Sequence, residues 1–153
     1  MNALDLLIQD HEKVKKLFQE AEQTTDHTQK TELFDRIDTE LAIHAEVEES
    51  VFYPAVEKHE TLKGMVAEAR DEHEEVEELL LEIEDLATEG TEFDSKLTTL
   101  KETVEHHIAE EEGEMFPKVR EFFDDKILEQ LGKELESAKG KHISVDKDDL
   151  QMA

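Results

Sequence analysis

The chain has no cysteine and no tryptophan, only 2 prolines and 5 glycines, and an aromatic content of 5%. The absence of cysteine excludes disulfides, thiolate metal ligands and a cysteine nucleophile. Because proline and glycine are the residues that most often interrupt helices, their scarcity favours long helices with few connections. A length of 153 residues is enough for one domain with a substantial core. The composition therefore predicts an all-α domain.

Basic residues are also scarce, with 17 Lys and Arg against 43 Asp and Glu and a formal net charge of −26. Such a chain repels nucleic-acid phosphates and anionic membrane surfaces, so we expect neither as a partner. The excess acid is typical of solvated helix faces. No apolar run approaches the roughly 18 residues of a membrane span. The first ten residues are apolar and acidic and lack the basic region of a secretory signal, so we expect a cytoplasmic location.

Apolar residues recur at spacings of three and four, which predicts four amphipathic helices. The pattern breaks at residues 24–28, at 58–61 and at Glu89-Gly90-Thr91, where glycine is expected to follow the end of a helix. Short links favour an antiparallel up-down four-helix bundle over about residues 3–117. The apolar stripes run from Leu4 to Ala21, from Leu33 to Phe52, from Leu62 to Ala87 and from Phe93 to Met115.

A weaker fifth helix is predicted after Pro117, over about residues 118–140. Gly132 should weaken this helix and Gly140 should end it. Residues 141–153 are polar and mixed in charge, so we expect a disordered tail there. The domain is thus expected to span residues 1–140.

One motif occurs twice. His44-x-x-x-Glu48 is followed six residues later by Pro54, and the second half of the chain repeats it as His107-x-x-x-Glu111 with Pro117. A second pair of segments aligns in the same way, with Asp10-His11 in the first half and Glu72-His73 in the second. The chain therefore consists of two helix pairs of similar design.

Residues four apart differ by only about 40° around a helix, so each repeated Glu faces the same way as its His. Four of the eight histidines lie within the apolar stripes. A buried carboxylate must be paired, protonated or bound to a metal. We therefore predict a central, pseudo-twofold site for two metal ions. Nitrogen and oxygen ligands without sulfur suit iron or manganese, although zinc and copper are also compatible. The predicted ligands are His11, His44, Glu48, His73, His107 and Glu111.

Several positions remain open. Glutamate is so common that a single His-x-x-x-Glu is a weak signal, and one inward histidine is more often a hydrogen-bonded core residue than a ligand. His106 with Glu110 is a rival pair, but it is rotated about 100° from the stripe. Glu77, Glu112 and Tyr53 could each approach the metal, and packing or hydrogen bonding is the favoured role of Tyr53.

Pro54 and Pro117 are expected to kink or end their helices just past the ligands. Phe52 and Met115 would then cap the site with apolar bulk and admit only small ligands.

The motifs resemble the hemerythrin-like family, the HHE cation-binding domains. The resemblance rests on two His-x-x-x-Glu units with Phe-Tyr-Pro and Met-Phe-Pro endings, each preceded by another histidine, over roughly residues 3–117. It implies a four-helix bundle that holds a non-haem centre of two iron ions with oxo, hydroxo or carboxylate bridges. A fifth helix is common in bacterial members. Carried over position by position, the ligands are the same six residues.

Two departures from the oxygen-carrying hemerythrins matter. Those proteins have a fifth histidine where this chain has Glu77, and they use His-x-x-x-x-Asp in the last helix, where this chain has Glu111 followed by Glu112. The ligand set is more similar to the six-ligand bacterial branch, which is associated with iron or oxygen sensing and with the handling of nitric oxide or peroxide. The resemblance therefore disfavours reversible oxygen transport.

Three functions follow as hypotheses. The first is a reaction with small oxidants (peroxide, nitric oxide or dioxygen) in stress defence, with an unidentified electron donor. The second is a non-catalytic role in binding, sensing or storing oxygen or iron. The third, a bundle without metal, would leave two core carboxylates uncompensated. In the first two, the partner is a small diatomic or peroxide ligand, and the chain is expected to be a monomer or weak dimer.

Overall fold

The computed structural model describes residues 1–86 and 90–152, and the side chains of those up to residue 141. Throughout these ranges the regular structure is helical. Turns of π-helix span Glu48–Phe52 and Glu111–Met115, and a 3-10 turn spans Glu60–Leu62. The α-helices are α1 (Ala3–Gln23), α2 (His27–Val47), α3 (Tyr53–Val56), α4 (Lys63–Glu84), α5 (Thr91–Glu110), α6 (Phe116–Phe122) and α7 (Asp125–Met152).

The predicted antiparallel bundle with a C-terminal fifth helix is confirmed. Helix α1 packs along α2, α4 packs along α5, and α7 lies against α1 and α2. The Asn2 side chain accepts a hydrogen bond from the backbone N–H of Asp5 at 2.9 Å, and that of Asp26 accepts from Thr28 at 3.0 Å. These caps satisfy backbone donors that the first helical turn leaves free, and so they set where α1 and α2 begin.

The link between α4 and α5 differs from the prediction. Helix α4 ends at Glu84, and Gly90 precedes α5 as its N-cap with extended backbone (φ −84°, ψ 149°). Gly90 therefore begins a helix rather than ending one. The third stripe is predicted to end at Ala87, and the turn is predicted to begin at Glu89. Both residues lie outside the described residues.

The regular α-helix is interrupted before each proline, at the ligand carboxylates rather than just past them. The regular α-helix stops at Val47 and at Glu110, and after one π turn it resumes in α3 and α6 with proline in the first helical turn. Proline fits there because the first turn needs no backbone N–H donor. Each proline therefore lies in the first turn of the α-helix that follows the π turn.

The core consists of two apolar clusters separated by a polar layer. Along α1, Leu4 and Leu7 belong to one cluster and Val14 and Phe18 to the other, with His11 between them. Helix α4 shows the same order around its histidine, and the antiparallel α2 shows the reverse order. The first cluster also contains Phe52, Met115 and Phe116 and is covered by Leu128, Leu131 and Leu135 of α7. The bundle therefore surrounds its polar layer with apolar packing on both sides.

Helix α7 differs from the predicted fifth helix at its C-terminal end. It continues through Gly140 to Met152, whereas the sequence predicts disorder over 141–153. A glycine costs only about 1 kcal/mol in a helix, and the neighbouring Lys, Glu, Leu and Ala residues favour helix formation.

Among the helices of the described ranges, none is both long and apolar enough to cross a bilayer.

Gly132 is the point of closest approach between α7 and the N-terminus. A Cβ atom at Gly132 would lie 3.0 Å from the carbonyl carbon of Asn2 and 3.1 Å from the nitrogen of Ala3, and closer still to the Met1 carbonyl oxygen. At Gly140 an added Cβ atom would meet nothing within 4 Å.

We predict opposite effects for alanine at these two glycines. Gly140→Ala should stabilise the protein by up to about 1 kcal/mol because alanine has the higher helix propensity. Gly132→Ala should destabilise the protein. Its Cβ atom would crowd the N-terminal backbone at a cost of about 1–3 kcal/mol, which exceeds the gain in helix propensity. Urea unfolding of both variants measures the difference. Equal stability of the two would show that α7 does not pack closely on the N-terminus.

Candidate metal centre

The structure brings all six predicted ligand residues into the polar layer. Two sets form, each with two imidazoles and one carboxylate, and the ligand atoms of each set lie within 4.8 Å of one another. Every one of the four long helices contributes at least one side chain. One set is His11, His44 and Glu111, and the other is Glu48, His73 and His107.

Each carboxylate contacts both sets. Glu111 places Oε1 3.2 Å from His11 Nε2 and Oε2 3.2 Å from His107 Nε2. Glu48 places Oε1 2.9 Å from His44 Nε2 and 3.2 Å from His73 Nε2. Both carboxylates therefore lie where they can bridge two ions.

The site has the twofold arrangement expected from the repeat. The ring centroids of His11 and His44 are 5.0 Å apart with an interplanar angle of 64°. Those of His73 and His107 are 4.9 Å apart, also at 64°. Two equivalent pairs of imidazoles thus face one another across the layer.

Both π turns begin at a carboxylate of the site. The backbone N–H of Tyr53 donates to the carbonyl of Glu48, and that of Phe116 donates to the carbonyl of Glu111, five residues earlier in each case. Such π turns within α-helices occur frequently at functional sites. Here the helix geometry changes at the ligand carboxylate itself, because each π turn begins at that residue.

Carboxylates also hold the outer nitrogens of two histidines next to the site. His44 Nδ1 donates to Asp10 at 3.0 Å, and His107 Nδ1 donates to Glu72 at 2.8 Å. Asp10 is in turn paired with Lys139 of α7. A carboxylate on the outer nitrogen fixes the orientation of the ring and leaves Nε2 free to bind metal.

The other two histidines have outer carboxylates at equivalent positions of the repeat. His11 Nδ1 donates to Glu112 at 2.7 Å. The corresponding distance from His73 Nδ1 to Glu49 is 3.4 Å, and no hydrogen bond forms. Glu112 therefore contacts the outer side of a histidine rather than the space between the two sets.

Sequence analysis did not identify these four outer carboxylates as a group. Two of them immediately precede a ligand histidine, in Asp10-His11 and Glu72-His73. The other two immediately follow a ligand glutamate, as Glu49 and Glu112. Their correspondence between the two halves of the chain is the signal that could have identified them.

Buried polar atoms without hydrogen-bond partners test whether the site fits metal ions. Among the described residues, the ligand nitrogens of three histidines and three carboxylate oxygens have no hydrogen-bond partner, although each of these nitrogens lies 2.9–3.2 Å from an oxygen of Glu48 or Glu111. An unsatisfied buried polar group costs about 1–3 kcal/mol. The donor set therefore fits two cations better than it fits a bundle without metal. These atoms are His11 Nε2, His44 Nε2, His107 Nε2, both oxygens of Glu48 and Oε1 of Glu111.

In the absence of metal, protons bound to the histidines supply the positive charge that compensates the buried carboxylates. Burial opposes ionisation of His44, but Glu48 and Asp10 outweigh it and raise its pKa to about 10. Burial likewise opposes ionisation of His107, and Glu111 and Glu72 raise its pKa to about 11. Burial favours the neutral form of Glu48, yet His44 and His73 lower its pKa well below the usual range. Because metal requires neutral imidazole, metal binding must release these protons and become tighter as pH rises.

Tyr53 breaks the twofold symmetry. Its hydroxyl donates to Glu111 Oε2 at 2.7 Å and lies 3.3 Å from His73 Nε2. Burial and the charges of Glu48 and Glu111 raise its pKa well above 10. The equivalent residue, Phe116, stacks on His11 without a hydroxyl group. Tyr53 is thus a neutral hydrogen-bond donor to one carboxylate.

The rival residues lie outside the two sets. The side chain of His106 is 68% exposed, and its Nε2 lies 3.0 Å from Glu110. Together with Glu72, these residues form a third cluster of possible ligands, but it lies largely at the surface. Glu77 lines a cleft between α2 and α4 and belongs to neither set.

A small cavity lies over the histidines. Its volume is about 40 Å³, and all four imidazoles line it. The remaining wall is mainly apolar and includes Val14, Leu41, Val76, Val104 and Ile108. Phe52 and Met115, which the sequence places as caps, pack in the first apolar cluster on the other side of the layer. The cavity is large enough for a few waters or one very small molecule.

Comparisons with known proteins agree with this geometry. A family profile, the hemerythrin HHE cation binding domain, matches residues 2–119. A crystal structure of a hemerythrin HHE cation binding domain-containing protein from Mycobacterium kansasii superposes with a TM-score of 0.85 at 25% identity, over 99% of this chain and 93% of that one. The chain is thus similar to these proteins over nearly its whole length.

Two curated relatives are also similar. A protein of Nostoc sp. described as a DNA nickase is 34% identical over 141 residues, which cover 92% of this chain but only 40% of that protein. An uncharacterized hemerythrin-like protein of Schizosaccharomyces pombe is 28% identical over 137 residues, which cover 88% of this chain and 68% of that protein. The chain therefore spans less than half the length of the Nostoc relative.

We predict that the outer carboxylates differ in their importance. Glu112→Ala should weaken metal binding by about 10–100-fold, because it removes the acceptor that orients His11. Glu49→Ala should change the affinity much less, because no hydrogen bond joins Glu49 to His73. Competition with a chelator measures both affinities. Similar losses in the two variants would show that His73 is held as firmly as His11.

Proposed function

Because the chain belongs to the hemerythrin HHE cation-binding family, we propose that it holds two iron ions and reacts with small oxidants in stress defence. The oxidants in question are peroxide, nitric oxide and dioxygen. An oxo or hydroxo bridge between the ions is part of the proposal, and so is an electron donor of unknown identity.

The two sets of ligands support the number of ions. His11 and His44 would hold one ion, His73 and His107 the other, and Glu48 and Glu111 would reach both. Mixed nitrogen and oxygen ligands suit iron, and they also suit manganese. Bound iron would supply a change of oxidation state and an electrophilic position for the oxidant.

The observation that most supports the proposal is the small cavity lined by all four histidines. With a volume of about 40 Å³, it admits a diatomic molecule or peroxide and excludes larger substrates. Its apolar wall restricts water beside the imidazoles. On the other side of the layer, the Tyr53 hydroxyl holds Glu111 in position and remains protonated.

The remaining parts of the proposal rest on the sequence. We propose a cytoplasmic monomer or weak dimer without nucleic-acid or membrane partners. The DNA nicking named for the Nostoc relative is not part of the proposal, because a net charge of −26 opposes contact with DNA phosphates.

We predict that the protein reconstituted with iron contains about two iron ions per chain. Glu48→Ala and Glu111→Ala should each lower the iron content, because each removes a carboxylate that faces both sets. Glu77→Ala, which removes a carboxylate outside the sets, is the matched control. Elemental analysis after removal of free iron provides the measurement. Equal losses in all three variants would contradict the assigned ligands.

Peroxide and nitric oxide consumption by the iron-loaded protein tests the reaction. We expect consumption of at least one of them to depend on bound iron and to be lost in Glu111→Ala. A reversible oxygen adduct, with no consumption of peroxide or nitric oxide, would instead support the alternative of a non-catalytic binding or storage protein.

A further inference from the structure

An acidic cleft runs between α2 and α4. Its volume is about 330 Å³, and its inner wall includes Leu41 and Val76. Among the described residues that line it there is no Lys or Arg. The acidic residues along it are Asp38, Glu46, Glu49, Glu77 and Glu84.

The cleft leads to the metal centre. Leu41, Ala45, His73 and Val76 line both this cleft and the small cavity over the four histidines. These side chains therefore lie between the two spaces, and His73 is the one among them that can bind a cation.

Among the four histidines of the centre, His73 is the one whose outer nitrogen is not hydrogen-bonded to a carboxylate. Its side chain is only 9% exposed, yet Nδ1 has no hydrogen-bond partner, and the nearest carboxylate is Glu49 at 3.4 Å. The outer nitrogens of the other three histidines each donate to a carboxylate at 2.7–3.0 Å. Glu49 itself is 44% exposed and lines the cleft. A buried, unpartnered nitrogen thus meets the acidic cleft at its inner end.

Like charges gather toward the outer part of the cleft. Burial raises the pKa of Asp38, and the negative charges of Glu84 and Asp35 raise it further. A cleft lined by one sign of charge concentrates counter-ions and accelerates their arrival. Hard divalent cations prefer carboxylate oxygens and would be the ions that this cleft attracts.

We propose that the α2–α4 cleft is the route by which divalent cations reach the metal centre, with Glu49 and His73 as the first groups at its inner end. The proposal rests on the proposed metal centre and adds a path to it. An incoming ion passes from the exposed carboxylates to Glu49 and then to His73, whose outer nitrogen Nδ1 has no hydrogen-bond partner. His11, His44 and His107 are already oriented to complete the two sets.

Stopped-flow loading of the metal-free chain of 153 residues with Co²⁺ tests this route. The variant Glu49→Gln/Glu77→Gln removes two charges from the cleft, and Glu75→Gln/Glu78→Gln removes two from exposed positions of α4 outside it. We expect the cleft variant to load about tenfold more slowly at low salt, with an unchanged final content of two ions. The control variant should load at close to the normal rate.

Two variants that leave the net charge unchanged test whether the ions pass through the cleft, independently of electrostatic attraction. Ala42→Phe adds bulk within the cleft, whereas Ala67→Phe adds the same bulk at an exposed site of α4 outside it. Ala42→Phe should slow loading and Ala67→Phe should not.

Equal rates in the two charge variants, or normal loading by Ala42→Phe, would overturn the proposed route. A cleft variant that loads at the normal rate but binds fewer ions would also overturn it, because Glu49 or Glu77 would then be a ligand. By contrast, failure of the unmodified protein to bind two ions would contradict the metal centre itself.

Discussion

The fold depends on two carboxylates buried among four imidazoles. Glu48 and Glu111 are 0% and 2% exposed in the middle of the bundle, where an isolated charge would cost several kcal/mol. The imidazoles compensate them only through close contacts, several of which lack hydrogen-bond geometry. The bundle therefore has a layer that is costly without cations and stabilising with them. The two apolar clusters on either side provide the packing that keeps this layer in place.

Much of the fold and of the centre could be predicted from the sequence. The apolar stripes specify four helices, and the repeat places His11, His44, His73 and His107 on their inner faces. Two features could not be predicted in this way. A π turn adds one residue to a helix without changing its composition, so hydrophobic periodicity does not reveal it. The outer carboxylates could not be selected because acidic residues flank most positions of this chain. Only the correspondence of Asp10 with Glu72, and of Glu49 with Glu112, distinguishes them.

The two halves of the repeat differ in the residues that contact the ligands. In one half, Asp10 both orients His44 and pairs with Lys139, which links the centre to α7. In the other half, the equivalent acid, Glu72, holds His107, while His73 faces an open cleft. Tyr53 adds a hydrogen bond to Glu111 that Phe116 cannot make to Glu48. One half is thus linked to the appended helix, and the other borders the cleft between α2 and α4.

Anomalous diffraction at the iron absorption edge from crystals of the iron-loaded protein would locate the ions themselves. We predict two peaks in the polar layer, one beside His11 and His44 and the other beside His73 and His107, with Glu48 and Glu111 reaching both. A single peak would contradict this prediction, and so would iron at the surface cluster of Glu72, His106 and Glu110 with none between the buried carboxylates.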